Sequence, residues 1–271
     1  MKISYTGHSS PDGKNMNGST SRRIRAAIYF GLLLLLFLFW RSLPGPLFHD
    51  PVSSVLYDRN GNLLGAKISA DQQWRFPEGG IVPAKFAEAV IHFEDRYFMW
   101  HPGFDPGALL RAAFLNLKNH RIVSGGSTIT MQVVRLMRKN RERTYFEKLV
   151  EIYLAFRLEF SCSKTEILQL YAAHAPFGGN VVGLDAAAWR YFATDSEHLS
   201  WADAATLAVL PNSPGLIYPG RNPRSLLEKR NRLLDVLHRR GIIDASTCDL
   251  AKSEPLPGKP FPLPQEAPHL L

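Results

Sequence analysis

The chain is 271 residues long and 45 % hydrophobic, with 32 Lys and Arg against 24 Asp and Glu, for a formal net charge of +8. That length and composition exclude a disordered tail or a disulfide-stapled mini-protein and suffice for one sizeable core. Half of the charge surplus lies in residues 1–25, where Lys2, Lys14, Arg22, Arg23 and Arg25 face only Asp12, so a general nucleic-acid-binding surface is disfavoured and no nucleic-acid partner is expected.

Behind this tail, Ala26 to Trp40 is an apolar run of fifteen residues. At about 1.5 Å per residue it spans about 22 Å of a roughly 30 Å hydrocarbon layer. Ile24, Leu43 and Leu47 lengthen it, while Arg25 and Arg41 reach the two headgroup regions. A cleaved signal peptide shares the basic start and apolar stretch, but this run ends in the bulky Phe39-Trp40-Arg41 with no small-residue cleavage site after it. The expectation is a basic cytoplasmic tail over 1–25, an uncleaved single-pass anchor over 26–43, and export of the remainder. Two cysteines, Cys162 and Cys248, make no disulfide framework; they read as core thiols, with one disulfide possible in an oxidising compartment.

A Pro-rich connector follows the anchor. Ser54–Tyr57 and Leu63–Ile68 then flank Asp58-Arg59-Asn60-Gly61, a hairpin signal because Asn-Gly tolerates positive φ at both turn positions. From Pro83 onward the periodicity is helical, with helices predicted near 84–99, 106–119, 127–138, 144–160, 164–173, 184–192, 201–210 and 223–240. The Pro-rich end, 246–271, reads as a linker with no further domain behind it. The fold class expected is mainly α, with the body over 44–245.

Three segments carry groups suited to chemistry. Glu94 follows Ile91 and Phe93 in E-D-R-Y-F-M-W-H-P-G-F-D, and a carboxylate among apolar neighbours shifts toward the range of a general base. A charged helix face capped by His101 and Asp105 explains the same residues. Gly125-Gly126-Ser127-Thr128 opens a helix in a manner suited to a phosphate or to an ordinary N-cap, and Arg135, Arg138, Lys139, Arg141 and Arg143 downstream favour an anionic ligand. In 144–160, Phe146, Leu149, Val150 and Tyr153 are expected to face the core, with Glu147, Lys148 and Glu151 on another stripe. Two other motifs are set aside. Ser161–Lys164 fits S-x-x-K but lacks the K-T-G that accompanies it, and Gly178–Gly183 lacks phosphate-loop spacing.

Taken together and in order, E-D-R-Y-F-x-x-H-P-G-F-D, G-G-S-T-I-T-M-Q, R-T-x-x-x-K-x-x-E and F-G-G-N-V-V-G-L-D-A-A-A resemble glycosyltransferase family 51, the peptidoglycan glycosyltransferase modules of class A penicillin-binding proteins. The resemblance covers about residues 50–240. It implies a lysozyme-like α domain on the outer face of a bacterial cytoplasmic membrane, acting on lipid II and the growing lipid-linked glycan chain beside other cell-wall synthesis proteins, and lacking here the transpeptidase domain of larger relatives. By the same resemblance, Glu94 is the base that deprotonates an acceptor hydroxyl, and Glu151 helps place the pyrophosphate or its divalent cation, Mg or Mn. Arg111, Ser127, Thr128, Gln132, Arg135, Arg143 and Lys148 hold phosphates and sugars, and Asp95, His101 and Asp105 shape the site. The sequence departs from the family pattern at Met131, where many members have Gln, at Glu147, where Arg is usual, and at Tyr171-Ala172-Ala173, which replaces Y-L-N. A lysozyme-like hydrolase and a non-catalytic lipid II-binding scaffold are the alternative functions.

Overall fold

The computed structural model describes residues 16–121, 125–139, 142 and 144–270, and its contacts divide the chain into two units, Met1–Pro44 and Gly45–Leu271. The first unit is helix α1, Met16–Arg41. Its stretch Ser21–Arg41 is 21 residues long and apolar enough to cross a membrane. At about 1.5 Å per residue this reaches about 31 Å, so the helix extends the short apolar run to the thickness of a bilayer core.

The second unit opens on the predicted hairpin, β1 (Ser54–Tyr57) against β2 (Leu63–Lys67). Its turn is set by the Asp58 carboxylate, which accepts from the backbone N–H of Asn60 and Asn62 and from the Asn62 amide. The body is mainly α as expected. The helices are α2 (Ala84–Glu94), α3 (Pro106–Lys118), α4 (Ile129–Met137), α5 (Tyr145–Glu159), α6 (Lys164–His174), α7 (Leu184–Phe192), α8 (Trp201–Val209), α9 (Pro223–Arg239) and α10 (Ala245–Ser253). A small sheet absent from the sequence reading joins β3 (Trp74–Arg75), parallel to β5 (Val181–Val182), with β4 (Pro176–Gly178) antiparallel on the other side.

α8 forms the centre. Ala202, Ala204, Ala205, Leu207, Ala208 and Val209 are all buried, and this all-round burial fits a helix that α2, α7, α9 and α10 surround. Its alanines let those neighbours approach closely. A second layer packs α4 against α5 and α6.

Three expectations are corrected. The helix predicted over 84–99 ends at Glu94, because Asp95 leaves helical geometry at φ −156° and turns its side chain to distant partners. The stripes of α5 are inverted. Glu147 and Glu151 are buried, whereas Phe146 is 74 % and Leu149 65 % exposed. Periodicity fixes which residues share a face but not which solvent that face meets. Here the carboxylates turn inward because Arg135 and Arg138 of α4 pair with them. The expected linker is packed structure. Asp244 caps α10 by accepting from Thr247 N–H, and Cys248 and Ala251 are buried. The fully buried Arg230 donates to the carbonyls of Lys252 and Glu254, and the extended segment beyond α10 reaches β2, where Glu266 N–H donates to Leu64 O.

Candidate functional site

The cluster is built by the end of α2 and the start of α4. Glu94 is the last residue of α2, so it stands at the negative end of the helix dipole as well as in an apolar surround. Asp95 beside it is buried. Both of its oxygens lie 2.9 Å from His101 Nε2, and Oδ2 accepts the Ile129 N–H at 2.9 Å. A carboxylate accepts only, so Nε2 carries the proton. One side chain thereby ties the end of α2, the H-P-G-F turn and the N-terminus of α4.

The turn itself is pressed against α5. Gly103 has φ +90°, and a Cβ there would meet the Ala155 carbonyl oxygen at 2.5 Å, so only glycine allows this approach. Thr128 is the N-cap of α4. Its hydroxyl accepts from Met131 N–H at 3.1 Å and donates to the Gly103 carbonyl at 2.6 Å. Gly126 of the same segment lies against the α3 backbone, 2.9 Å from Leu109 Cα once a Cβ is imagined. Gly126 and Thr128 of this motif therefore shape the scaffold, with both hydrogen bonds of the Thr128 hydroxyl made to backbone. Asp105 caps α3 by accepting from Ala108 N–H at 3.0 Å.

Gln132 on α4 donates its amide to Glu94 Oε2 at 2.7 Å, and among the described residues Glu94 Oε1 is buried with no partner. Burial pushes the Glu94 carboxyl above its usual range, against the opposing pull of the Gln132 hydrogen bond and the charges of Lys229 and Arg135. One turn along α4, Arg135 grips Glu151 with two bonds, 2.7 and 2.9 Å, and reaches Ser127 Oγ at 3.3 Å. Lys148 donates to Ser127 Oγ at 2.6 Å and to Glu151 at 3.3 Å. Burial raises the Glu151 carboxyl, but the hydrogen bonds and charges of Arg135 and Lys148 outweigh it and hold the group below the usual carboxylate range. The two glutamates are therefore unlike: burial shifts Glu94 toward its neutral form, whereas Arg135 and Lys148 shift Glu151 toward its anionic form.

The stabilisation that Glu151 contributes is complete above its unfolded pKa and is lost as pH falls through its lower folded value. Glu151→Gln is expected to lower the melting temperature at neutral pH and to flatten its fall on acidification. Melting curves at a series of pH values measure this, and a variant as acid-sensitive as the parent would contradict it.

The structure thus assembles Glu94, Gln132, Ser127, Arg135, Lys148 and Glu151, with Asp95, His101 and Asp105 behind them. Arg111 stands exposed on α3 and makes no hydrogen bond to the cluster among the described residues, and Arg143 lies outside the described residues. Arg138 is engaged by Glu147 at 2.5 Å. Lys164 of the S-x-x-K motif donates to the His101 carbonyl at 2.7 Å and to Glu159 at 2.8 Å, which makes it a brace of the H-P-G-F turn. Tyr171, Asn212 and Lys229 were missed by sequence reasoning. Tyr171 is 1 % exposed, its hydroxyl has no partner among the described residues, and burial and then the Glu94 charge oppose its ionisation. It shares a cavity of about 370 Å³ with Gln132, Arg135 and Asn212. Only its place in the altered Y-L-N motif gave a signal, and Lys229, one charge on a charged helix, gave none.

For a divalent cation the donor set does not close. Among the described residues no three His, Cys, Asp or Glu converge, and both Glu151 oxygens are taken by Arg135 and Lys148. The protein side alone does not make a cation cage.

Glu94, whose Oε1 is buried, thus lies near a pair of cations, Arg135 and Lys148, that are bound to a second carboxylate, Glu151. The chain belongs to the transglycosylase family, which matches residues 60–238. It is similar to penicillin-binding protein 1C of Escherichia coli (strain K12), 38 % identical over 226 residues, an alignment covering 83 % of this chain and 29 % of that protein. Penicillin-binding protein 1A of Aquifex aeolicus (strain VF5) is 35 % identical over 85 % of the chain and 32 % of its own length. Penicillin-binding protein 1A/1B of Bacillus subtilis (strain 168) is 35 % identical over 74 % and 22 %. The crystal structure of penicillin-binding protein 1A from Haemophilus influenzae aligns over 80 % of this chain and 22 % of its own, at TM-score 0.44 and 19 % identity. The chain thus spans a third or less of the length of these relatives.

Proposed function

We propose that the chain is a membrane-anchored peptidoglycan glycosyltransferase that polymerises lipid II into β-1,4-linked glycan strands and releases undecaprenyl diphosphate. The observation that carries this reading is the contrast between the two glutamates. Glu94 has a raised carboxyl and one buried oxygen without a partner, whereas Glu151 is locked between Arg135 and Lys148. In the reaction, Glu94 Oε1 takes the proton of the acceptor 4-hydroxyl as that oxygen bonds to the donor anomeric carbon. The bond between the anomeric carbon and the diphosphate oxygen breaks with inversion at that carbon, and its electron pair leaves on the diphosphate. Arg135, Lys148 and Arg143 stabilise the charge that develops there. A hydrolase needs no cationic cluster of this kind, because its leaving group is a sugar.

Glycosyltransferases of this family depend on a divalent cation in general. Because the donor set does not close around a cation, the diphosphate itself would supply most of the oxygens, and Mg or Mn arrives with the substrate. The chain acts on the outer face of the cytoplasmic membrane, with its basic tail inside. The body also meets the bilayer directly. α5 exposes Tyr145, Phe146, Leu149 and Tyr153, and α3 exposes Leu110, Phe114 and Leu117, more apolar surface than a water-facing helix carries. Replacing Phe146 and Leu149 together by Asp is expected to reduce polymerisation in vesicles about tenfold or more, with little change in detergent micelles. An equal loss in both settings would refute membrane docking through α5.

The function itself is tested by incubating the purified full chain with lipid II and Mg or Mn and measuring polymer. Polymer formation is expected. Soluble sugars released from purified cell wall, or lipid II binding without turnover, would replace this reading by hydrolase or scaffold.

A further inference from the structure

Beyond the predicted site residues, α9 brings a cation to the catalytic carboxylate. Lys229 donates its ammonium to Asn212 Oδ1 at 2.9 Å, and Asn212 lines the same cavity as Gln132, Arg135 and Tyr171. Gln132 in turn holds Glu94, and α9, which carries Lys229, packs on α2, which ends at Glu94.

We propose that Lys229 is a positioning residue for the glycosyl transfer, whose ammonium fixes Asn212 at the wall of the cavity that Gln132 and Arg135 line and places a positive charge near the base. The inference rests on the reading of Glu94 as the general base.

The charged surroundings of Glu94 make this cation consequential. Asp95 on the same turn disfavours ionisation of Glu94, and the nearby Tyr171 of α6 donates no hydrogen bond to it. Arg135 of α4 favours ionisation, but that guanidinium is bound to Glu151 by two hydrogen bonds and its charge is shared. α8, which also packs on α2, offers only Asp203, held at its own helix N-cap. On α9, Arg230 is bound to backbone carbonyls, and Arg232 repels Lys229. Lys229 is thus the cation near Glu94 whose hydrogen bond goes to a neutral amide. Burial lowers its own affinity for a proton, and the Glu94 charge raises it, a reciprocal coupling expected of two groups that feel each other.

The test is the pH dependence of kcat/KM for lipid II polymerisation by the full chain, compared for the parent, Lys229→Met, Lys229→Arg and Glu94→Gln, with melting curves for each. A base must be deprotonated to act, and removing a nearby positive charge makes deprotonation harder. The acid limb of Lys229→Met is therefore expected at higher pH than that of the parent, with a larger loss of activity at about pH 6 than at about pH 8. Lys229→Arg is expected to return the limb to its original position. If Lys229→Met does not fold, Lys229→Gln keeps a polar partner for Asn212 and carries the same expectation. An unmoved acid limb in a folded, neutral Lys229 variant, with Glu94→Gln inactive, overturns the role of Lys229 alone. Activity persisting in Glu94→Gln overturns the base assignment and this inference with it.

Discussion

Glu94→Gln is expected to abolish lipid II polymerisation, by about 10³-fold or more, while raising the melting temperature of the chain. The loss follows from the role of the group: an amide of the same shape keeps the hydrogen bond from Gln132 but cannot take a proton. The gain in stability follows from burial. The folded state raises the Glu94 carboxyl above its ordinary value. Its favourable contribution is therefore complete below the unfolded pKa and is lost as pH rises through the folded value. Above the unfolded pKa the raised carboxyl weighs against the fold, and a neutral amide removes that weight, by about 1 kcal/mol. Polymerisation assays and thermal melting on the same two preparations measure both arms. An inactive variant that melts lower than the parent would mean that Glu94 is a structural group.

The largest loss of stability is expected at Asp95→Ala, about 3 kcal/mol. Three separated pieces of backbone converge on this carboxylate: its own position at the end of α2, His101 in the H-P-G-F turn, and the N-terminus of α4 through Ile129 N–H. Alanine leaves a buried imidazole N–H and a buried helix-terminal N–H without acceptors, and removes a negative charge from the positive end of the α4 dipole. Asp105→Ala is the natural comparison, since it deletes an N-cap at α3 alone and such changes cost about 1 kcal/mol. Denaturant midpoints for the two variants measure the difference. Equal losses would show that Asp95 is no more than a helix cap. Because α4 also carries Gln132 and Arg135, a loosened N-terminus is expected to reduce turnover at temperatures where the chain is still folded.

Much of this arrangement is written locally. α7 falls at 184–192 as periodicity predicts, and the hairpin follows from Asn60-Gly61 and the grip of Asp58. Glu94 and Glu151 were singled out by the ordered family motifs, since from the residues alone a charged helix face explains both. What could not be read is non-local. β3 and β5 are two residues each and pair in parallel across more than a hundred positions, too short for an alternating pattern to show. The hold of Asp95 on Ile129 has no sequence signature, nor has the reach of Lys229 to Asn212. The C-terminal segment misled because Pro-rich composition signals extension but is silent on whether an extended chain lies on a surface. The inverted α5 misled for a different reason: amphipathic periodicity assumes water outside, and a helix with buried ion pairs and an exposed apolar row satisfies the same period.

On the proposed membrane-bound reading, that inversion adds a second membrane contact to the anchor in α1. A patch of a few side chains on α5 binds an interface weakly and reversibly by itself, as a single short lipid chain does. Joined covalently to α1, it sees the membrane at an effective concentration on the order of millimolar, so a modest affinity is enough to keep it docked for most of the time. Avidity of this kind has a built-in release: the face can lift and settle again without the chain leaving the membrane, and each contact can be tuned separately by substitution on one side of one helix.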